Sequence, residues 1–148
     1  MNKKIIIKSL ISYVFDKLET IDSLIKSSII SRNNNTKSSA GDKHETSRAK
    51  IQSDIDNYQQ QKINIINQLK TLKSIDLNKS YSKVENGALV ETNTGFFFIA
   101  IGLGRWKVNN EQIFVISLAS PIGKFMKDKV ESSSYTFRNL NYKIIKIT

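Results

Sequence analysis

The sequence predicts an α+β protein in which an N-terminal antiparallel two-helix coiled-coil hairpin precedes a small antiparallel sheet domain with one short helix. Three observations predict it. Apolar residues recur at alternating spacings of four and three through two stretches of similar length, and a polar run rich in Asn, Ser and Thr separates them. Beyond residue 83 the period shortens to that of strands, punctuated by Asn and Gly turns.

The first seam runs through Ile7, Ile11, Val14, Leu18, Ile21 and Ile25, which keeps these side chains on one helix face, with Leu10, Phe15 and Leu24 expected to widen the stripe. Short polar side chains from Ser31 to Thr36 compete for backbone hydrogen bonds and predict a stop near residue 31. The second seam runs through Ile51, Ile55, Tyr58, Lys62, Ile65, Leu69 and Leu72, where the Lys62 stem covers apolar area while its ammonium reaches water. A reversal near residue 40 brings Ile25 toward Ile55, Val14 toward Ile65 and Ile7 toward Leu72. Neither helix can bury its stripe alone, so an antiparallel coiled coil over residues 1–75, with a tip loop at about 32–46, is the expected solution. At about 1.5 Å per residue, arms of about 25 residues make a rod of roughly 40 Å.

Residues 76–83 have no sustained period and read as a linker to a domain over 84–148. There, 84–91 and 96–101 read as strands joined at Asn93, Thr94 and Gly95, and 105–108 turns through Asn109 and Asn110 into 113–118. Pro121 suits a first helical turn capped by Ser120, which predicts a short helix to about Lys127 with Ile122, Phe125 and Met126 against the sheet. A last pair, 134–137 and 142–147, turns around Asn139, Leu140 and Asn141.

Bulk composition narrows the function classes. With no cysteine and one histidine, disulfides, thiol chemistry and a zinc cluster are excluded. No apolar run approaches membrane-span length, and Lys8, Asp16 and Lys17 interrupt the N-terminal apolar stretch, so the expectation is a cytoplasmic monomer without membrane contact. The net charge of +10 attracts polyanions without conferring specificity; residues 1–75 hold 13 cations against 7 acids and 76–148 hold 10 against 6. A solvated basic surface, or one facing an acidic partner, accounts for the charge without direct nucleic-acid binding.

Asp42 and Glu45 stand three apart at the expected start of the second helix. As a capping box, each would satisfy the other's free backbone amide, and both suit the positive helix end. Held at the tip of a rod, the same two carboxylates are also placed to enter a partner's cavity and share a divalent ion there. Lys37, Lys43 and Arg48 surround them with positive charge, and His44 reads as a turn residue. Phe96, Phe97 and Phe98 suggest a base-stacking platform, but alternation buries at least one face and makes core packing the stronger reading. Trp106 is less constrained by the pattern and is a candidate for a partner surface.

With Gly41, Asp42, Lys43, His44 and Glu45 at the hairpin tip, and Ser120, Pro121, Ile122, Gly123 and Lys124 in the following domain, the sequence resembles the Gre transcript-cleavage factors. Lys129 and Val130 and the terminal stretch from Tyr142 to Ile147 extend the likeness over nearly the whole chain. The resemblance implies an FKBP-like C-terminal domain that docks on RNA polymerase, through residues such as Ser120, Pro121, Gly123, Lys124 and Trp106, and a coiled coil that enters the secondary channel. It further implies that Asp42 and Glu45 help hold a catalytic Mg2+ shared with the polymerase, whose own active site cleaves backtracked RNA. No cofactor or metal is then held by the free protein, nucleic acid is met only through the polymerase complex, and the chain is not an enzyme by itself. Thr46, Ser47, Arg48 and Ala49 depart from the family pattern after Glu45, as do Glu131 and Ser132 after Val130; these departures bear on cleavage stimulation more than on polymerase docking, and a regulator or competitor at the channel that cleaves nothing is the alternative reading. Two other classes compete. A peptidyl-prolyl isomerase needs a concave aromatic cavity in residues 84–148, and a basic structural protein needs salt-sensitive nucleic-acid affinity without polymerase.

Overall fold

A computed structural model describes the backbone of residues 1–35 and 41–148, and the side chains of residues 1–35 and 45–148. The chain divides into two compact units, one comprising Ile11–Lys70 and the other Met1–Leu10 with Thr71–Thr148.

Two long helices, α1 (Lys3–Asn35) and α2 (Gly41–Lys73), supply the first unit. Two side-chain contacts fix their sense: Lys62 Nζ meets Asp22 at 2.6 Å, and Arg32 Nη1 donates to Gln52 Oε1 at 2.6 Å. Moving ten residues forward on α1 thus moves ten residues back on α2, so the helices run antiparallel. Val14, Ile21, Ile55, Ile65 and Leu69 are buried, and the other predicted seam positions of this unit are half-buried, as the alternating spacing requires. Phe15 and Leu24 do not widen the stripe; they are 48% and 41% exposed. Helix α1 continues to Asn35 instead of ending near residue 31, and the Arg32–Gln52 bond holds that extra turn against the polar run. Lys62 does more than snorkel, since its ammonium is paired with Asp22. No helix among the described residues is long and apolar enough to cross a membrane.

The second unit is built on an open six-stranded sheet: β1 (Leu89–Thr92), β2 (Gly95–Ile99), β3 (Gly104–Val108), β4 (Glu111–Ile116), β5 (Ser134–Phe137) and β6 (Leu140–Ile147), in the order β3-β4-β2-β1-β6-β5. The expected all-antiparallel sheet is corrected here, because β2 and β4 pair parallel, from Phe96 beside Ile113 to Ile99 beside Ile116. The physical reason is a difference in polarity within the β3–β4 hairpin. Ile113, Val115 and Ile116 are buried whereas Arg105 and Lys107 are exposed, so β4 takes the interior place beside β2 and β3 becomes the edge. The predicted strand over 84–91 shortens to start at Leu89, because Val84 pairs instead with the backbone of Asp128 and Lys129 and the chain turns through Gly87 at φ 91°.

Both sheet faces are covered. On one, Val90, Phe97, Ile99, Ile116, Tyr142 and Ile144 form a core with Met126 of the short helix α3 (Pro121–Met126) and with Tyr135. On the other, Leu89, Phe98, Ile113 and Val115 are buried, and the remaining buried residues of the unit include Ile6, Ile7 and Leu10 at the start of α1 and Leu72 at the end of α2. The start of α1 is tied to this sheet. Trp106 Nε1 donates to Ser9 Oγ at 3.0 Å, and Lys3 Nζ donates to the carbonyls of Gly87 and Thr148 at 3.1 and 3.0 Å. Burial lowers the pKa of Lys3, whose ammonium also stands 4.2 Å from the centre of the Tyr81 ring.

Candidate functional site

One end of the helical unit carries Glu45 and Arg48, two of the charged residues that the sequence singles out. Glu45 stands near the start of α2 and is exposed, with Arg48 three residues on and on the same side of the helix. From α1, Arg32 reaches across to Gln52, whose own amide donates to Asp56 Oδ1 at 2.9 Å. That chain of bonds sets the guanidinium in one place. Arg32, Asn33, Glu45, Arg48, Ala49 and Gln52 together line a surface hollow of about 430 Å³. Among the described side chains, two guanidinium groups stand around one carboxylate, a set that favours an oxyanion over a metal cation, because each guanidinium presents planar N–H donors and repels a second cation. Among the described residues no three His, Asp or Glu side chains group as metal ligands.

Lys37 lies outside the described residues, and so do the side chains of Asp42, Lys43 and His44; the capping-box expectation for Asp42 and Glu45 falls there with them. Arg32 and Gln52 were not singled out in the sequence. Their signal was faint, an arginine inside a polar run and a glutamine one position past the Ile51 seam residue, visible only once the two helices are laid antiparallel.

The Ser120 to Lys124 motif folds as expected, and its shape has a local cause. Ser120 caps α3, accepting from the Gly123 amide at 3.1 Å while its hydroxyl donates to the Ser117 carbonyl at 2.7 Å. Pro121 occupies the first turn, where its missing N–H costs nothing. Gly123 is buried, and a Cβ there would lie 2.1 Å from the Ser117 carbonyl oxygen and 2.9 Å from Leu118 Cα. Backbone crowds that position, so glycine is a packing requirement. Lys124 and Pro121 are exposed and Ser120 is half-buried, which leaves the motif's outer side open to a partner.

Trp106 is half-buried, with its indole N–H engaged by Ser9, so its ring edge serves the sheet unit's own packing. Phe97 and Phe98 are core residues, as the alternation argued, and Phe97 stacks on Phe114 with ring centres 5.2 Å apart. Tyr135 and Tyr142 stack at 5.0 Å, and burial, reinforced by the neighbouring Tyr142 phenol, pushes the Tyr135 hydroxyl well above the ordinary tyrosine range.

No protein-family model matches the chain, and no curated protein does. A solved structure described as that of the transcription factor Gfh1 is similar at 15% identity, covering 95% of this chain and 94% of that one, with a TM-score of 0.33. A likeness at that score fixes neither fold nor function.

Proposed function

We propose that the chain is an RNA polymerase-binding factor of the Gre type, acting at the secondary channel as a regulator or competitor and without an active site of its own. The observation that carries this reading is the antiparallel pairing of α1 and α2, which presents Glu45 to solvent at one end of the helical unit together with Arg32 and Arg48. On this reading the helical unit is a coiled-coil probe. The sheet unit is a divergent FKBP-like domain whose open Ser120 to Lys124 side docks on the polymerase. The choice of partner rests on the sequence resemblance at Gly41 to Glu45 and at Ser120 to Lys124.

The residues at the helical end bear on cleavage. A Mg2+ shared with the polymerase needs convergent carboxylates, whereas the described donors of the hollow are one carboxylate, two side-chain amides and two guanidinium groups. By itself that described set does not suit magnesium in the free chain. Arg32 and Arg48 instead fit the phosphates that such a channel carries.

The test is capture of polymerase from cell extract by the tagged full chain, followed by RNA cleavage in stalled elongation complexes. Polymerase is expected to be enriched, and Arg32→Ala with Arg48→Ala to weaken the factor's effect on elongation. Neutralising Asp42→Asn with Glu45→Gln is expected to leave cleavage unchanged. Stimulated cleavage that disappears in the Asp42→Asn, Glu45→Gln variant would establish a cleavage factor instead, and failure to enrich polymerase would end the proposal.

A further inference from the structure

The net charge is not shared evenly between the two units. The sheet unit holds 14 cations against 6 acids, and the helical unit 9 against 7, so eight of the ten net charges belong to the sheet unit. Within it, one surface combines positive charge with aromatic rings. Phe125 on α3 is 50% exposed and meets Phe137 of β5 with ring centres 5.4 Å apart and planes tilted by 59°. Phe137 is half-buried against the core, and the Arg138 guanidinium lies over its ring at 5.1 Å. Leu140, opposite Phe137 in the hairpin register, extends the apolar floor and is itself 56% exposed. Lys124 and Lys127 flank Phe125 along the chain and are both exposed, while the nearby carboxylate of Asp128 is paired with Lys83 at 3.0 Å.

The turn that carries Arg138 is informative. Arg138 and Asn139 have φ of 50° and 64°, the left-handed pair of a tight hairpin turn. The β3–β4 hairpin of the same chain meets this requirement with Asn109 and Asn110, residue types that adopt the conformation readily. An arginine in the first of the two positions is less favoured than asparagine, and the turn places its guanidinium over the Phe137 ring at the surface. Core packing does not require that arrangement. Met126 and Gly123 already anchor α3, and Phe125 gives up half its surface to water.

We propose that the face carrying Phe125, Phe137 and Arg138 binds single-stranded nucleic acid, the Phe125 ring and the Arg138 plane stacking an unpaired base while Lys124 and Lys127 meet its phosphates. Aromatic rings and guanidinium planes are general base-stacking surfaces, and surrounding cations track the backbone. A regular duplex has its bases already stacked and offers these rings nothing but phosphate. The site is distinct from the hollow at the helical end; it shares Lys124 with the side proposed to dock on polymerase, and its test is made without polymerase.

The experiment uses the full chain with a fluorescein-labelled oligouridine of about 12 nucleotides, a duplex of equal length and an oligoglutamate peptide, followed by fluorescence anisotropy at about 50 and 200 mM salt. The single strand is expected to bind more tightly than the duplex, and Phe125→Ala to weaken it roughly tenfold, the scale of one lost stacking partner. Arg138→Asn relaxes the turn while removing the stacking plane, so it is expected to melt no lower than the parent yet to weaken single-strand binding several-fold, and Lys127→Ala, which removes a phosphate contact, to reduce the salt slope by about 0.7. Lys8→Ala, which removes an exposed cation of the same unit on α1, is expected to change affinity less than about twofold. Equal affinity for duplex, losses in Lys8→Ala matching those in Phe125→Ala, or absence of binding at the lower salt would each overturn the proposal. So would oligoglutamate binding as tightly as oligouridine through the same residues, which would mark a protein-docking face.

Discussion

Tyr135→Phe should stabilise the protein, and the gain should grow in alkali. The Tyr135 hydroxyl is buried with no hydrogen-bond partner among the described residues, in a residue only 7% exposed whose ring is stacked on Tyr142. A buried polar group left unbonded costs about 1–3 kcal/mol, which the substitution removes. The void left by the oxygen, on the order of 10 Å³ at about 24 cal/mol per Å³, costs roughly 0.2 kcal/mol. The net gain is about 1 kcal/mol or more, a rise in melting temperature of about 4–8 °C for a unit of this size. The pH dependence follows from the raised pKa. The folded protein holds this proton more tightly than the unfolded chain does, so the tyrosine's contribution is whole below the ordinary value near 10 and declines as pH rises through the folded value. Phenylalanine has no proton to lose. In thermal melts from pH 7 to 11 the difference between variant and parent should therefore be flat to about pH 9.5 and widen above it, by at most about 1.4 kcal/mol per pH unit. A variant that melts lower than the parent would show that the hydroxyl is bonded, and a difference that ignores pH would show that it is not desolvated; either result refutes the reasoning.

Two further substitutions probe the sheet unit. Gly123→Ala should destabilise by about 1–3 kcal/mol or more in urea unfolding, because the added methyl meets the Ser117 carbonyl and Leu118 Cα, which are backbone and cannot swing aside. Lys83→Ala should raise the Asp128 carboxyl toward the ordinary carboxylate range in an NMR titration, since the Lys83 hydrogen bond is the largest cause of its depression. The Lys83 pairing is accordingly felt above the ordinary carboxylate value and lost as pH falls through the depressed one.

Much of the fold was legible because its signals are local. The seam from Ile7 to Ile25 and the one from Ile51 to Leu72 each encode a helix face, and the Asn109–Asn110 turn and the Ser120 cap encode boundaries through backbone preferences that a short window contains. The parallel pairing of β2 with β4 was not legible, because it depends on which hairpin strand wins the interior place. That competition compares Ile113, Val115 and Ile116 with Arg105 and Lys107 against a third strand far from either. The length of α1 was missed for a related reason: its last turn leans on a residue of another helix.

The candidate site divides along the same line. Glu45 and Arg48 could be named from the sequence because they sit in one helical turn, and Ser120, Pro121 and Gly123 because a cap, a first-turn proline and a crowded glycine form one local device. Arg32 could not, since only antiparallel pairing brings it to Gln52. Its arrival changes the chemistry of that end. An acid pair read alone invites a metal; the described side chains of the hollow, Glu45 with two guanidinium groups, suit phosphate, and the Asp42 side chain lies outside the described residues. The exposed Phe125 was hidden by the opposite error: the i, i+3, i+4 spacing of Ile122, Phe125 and Met126 counted all three as core residues, whereas Met126 is buried, Ile122 half-buried and Phe125 50% exposed. Charge and aromatic surface therefore lie on this chain where pairing between distant elements puts them, and both places suit a polyanion.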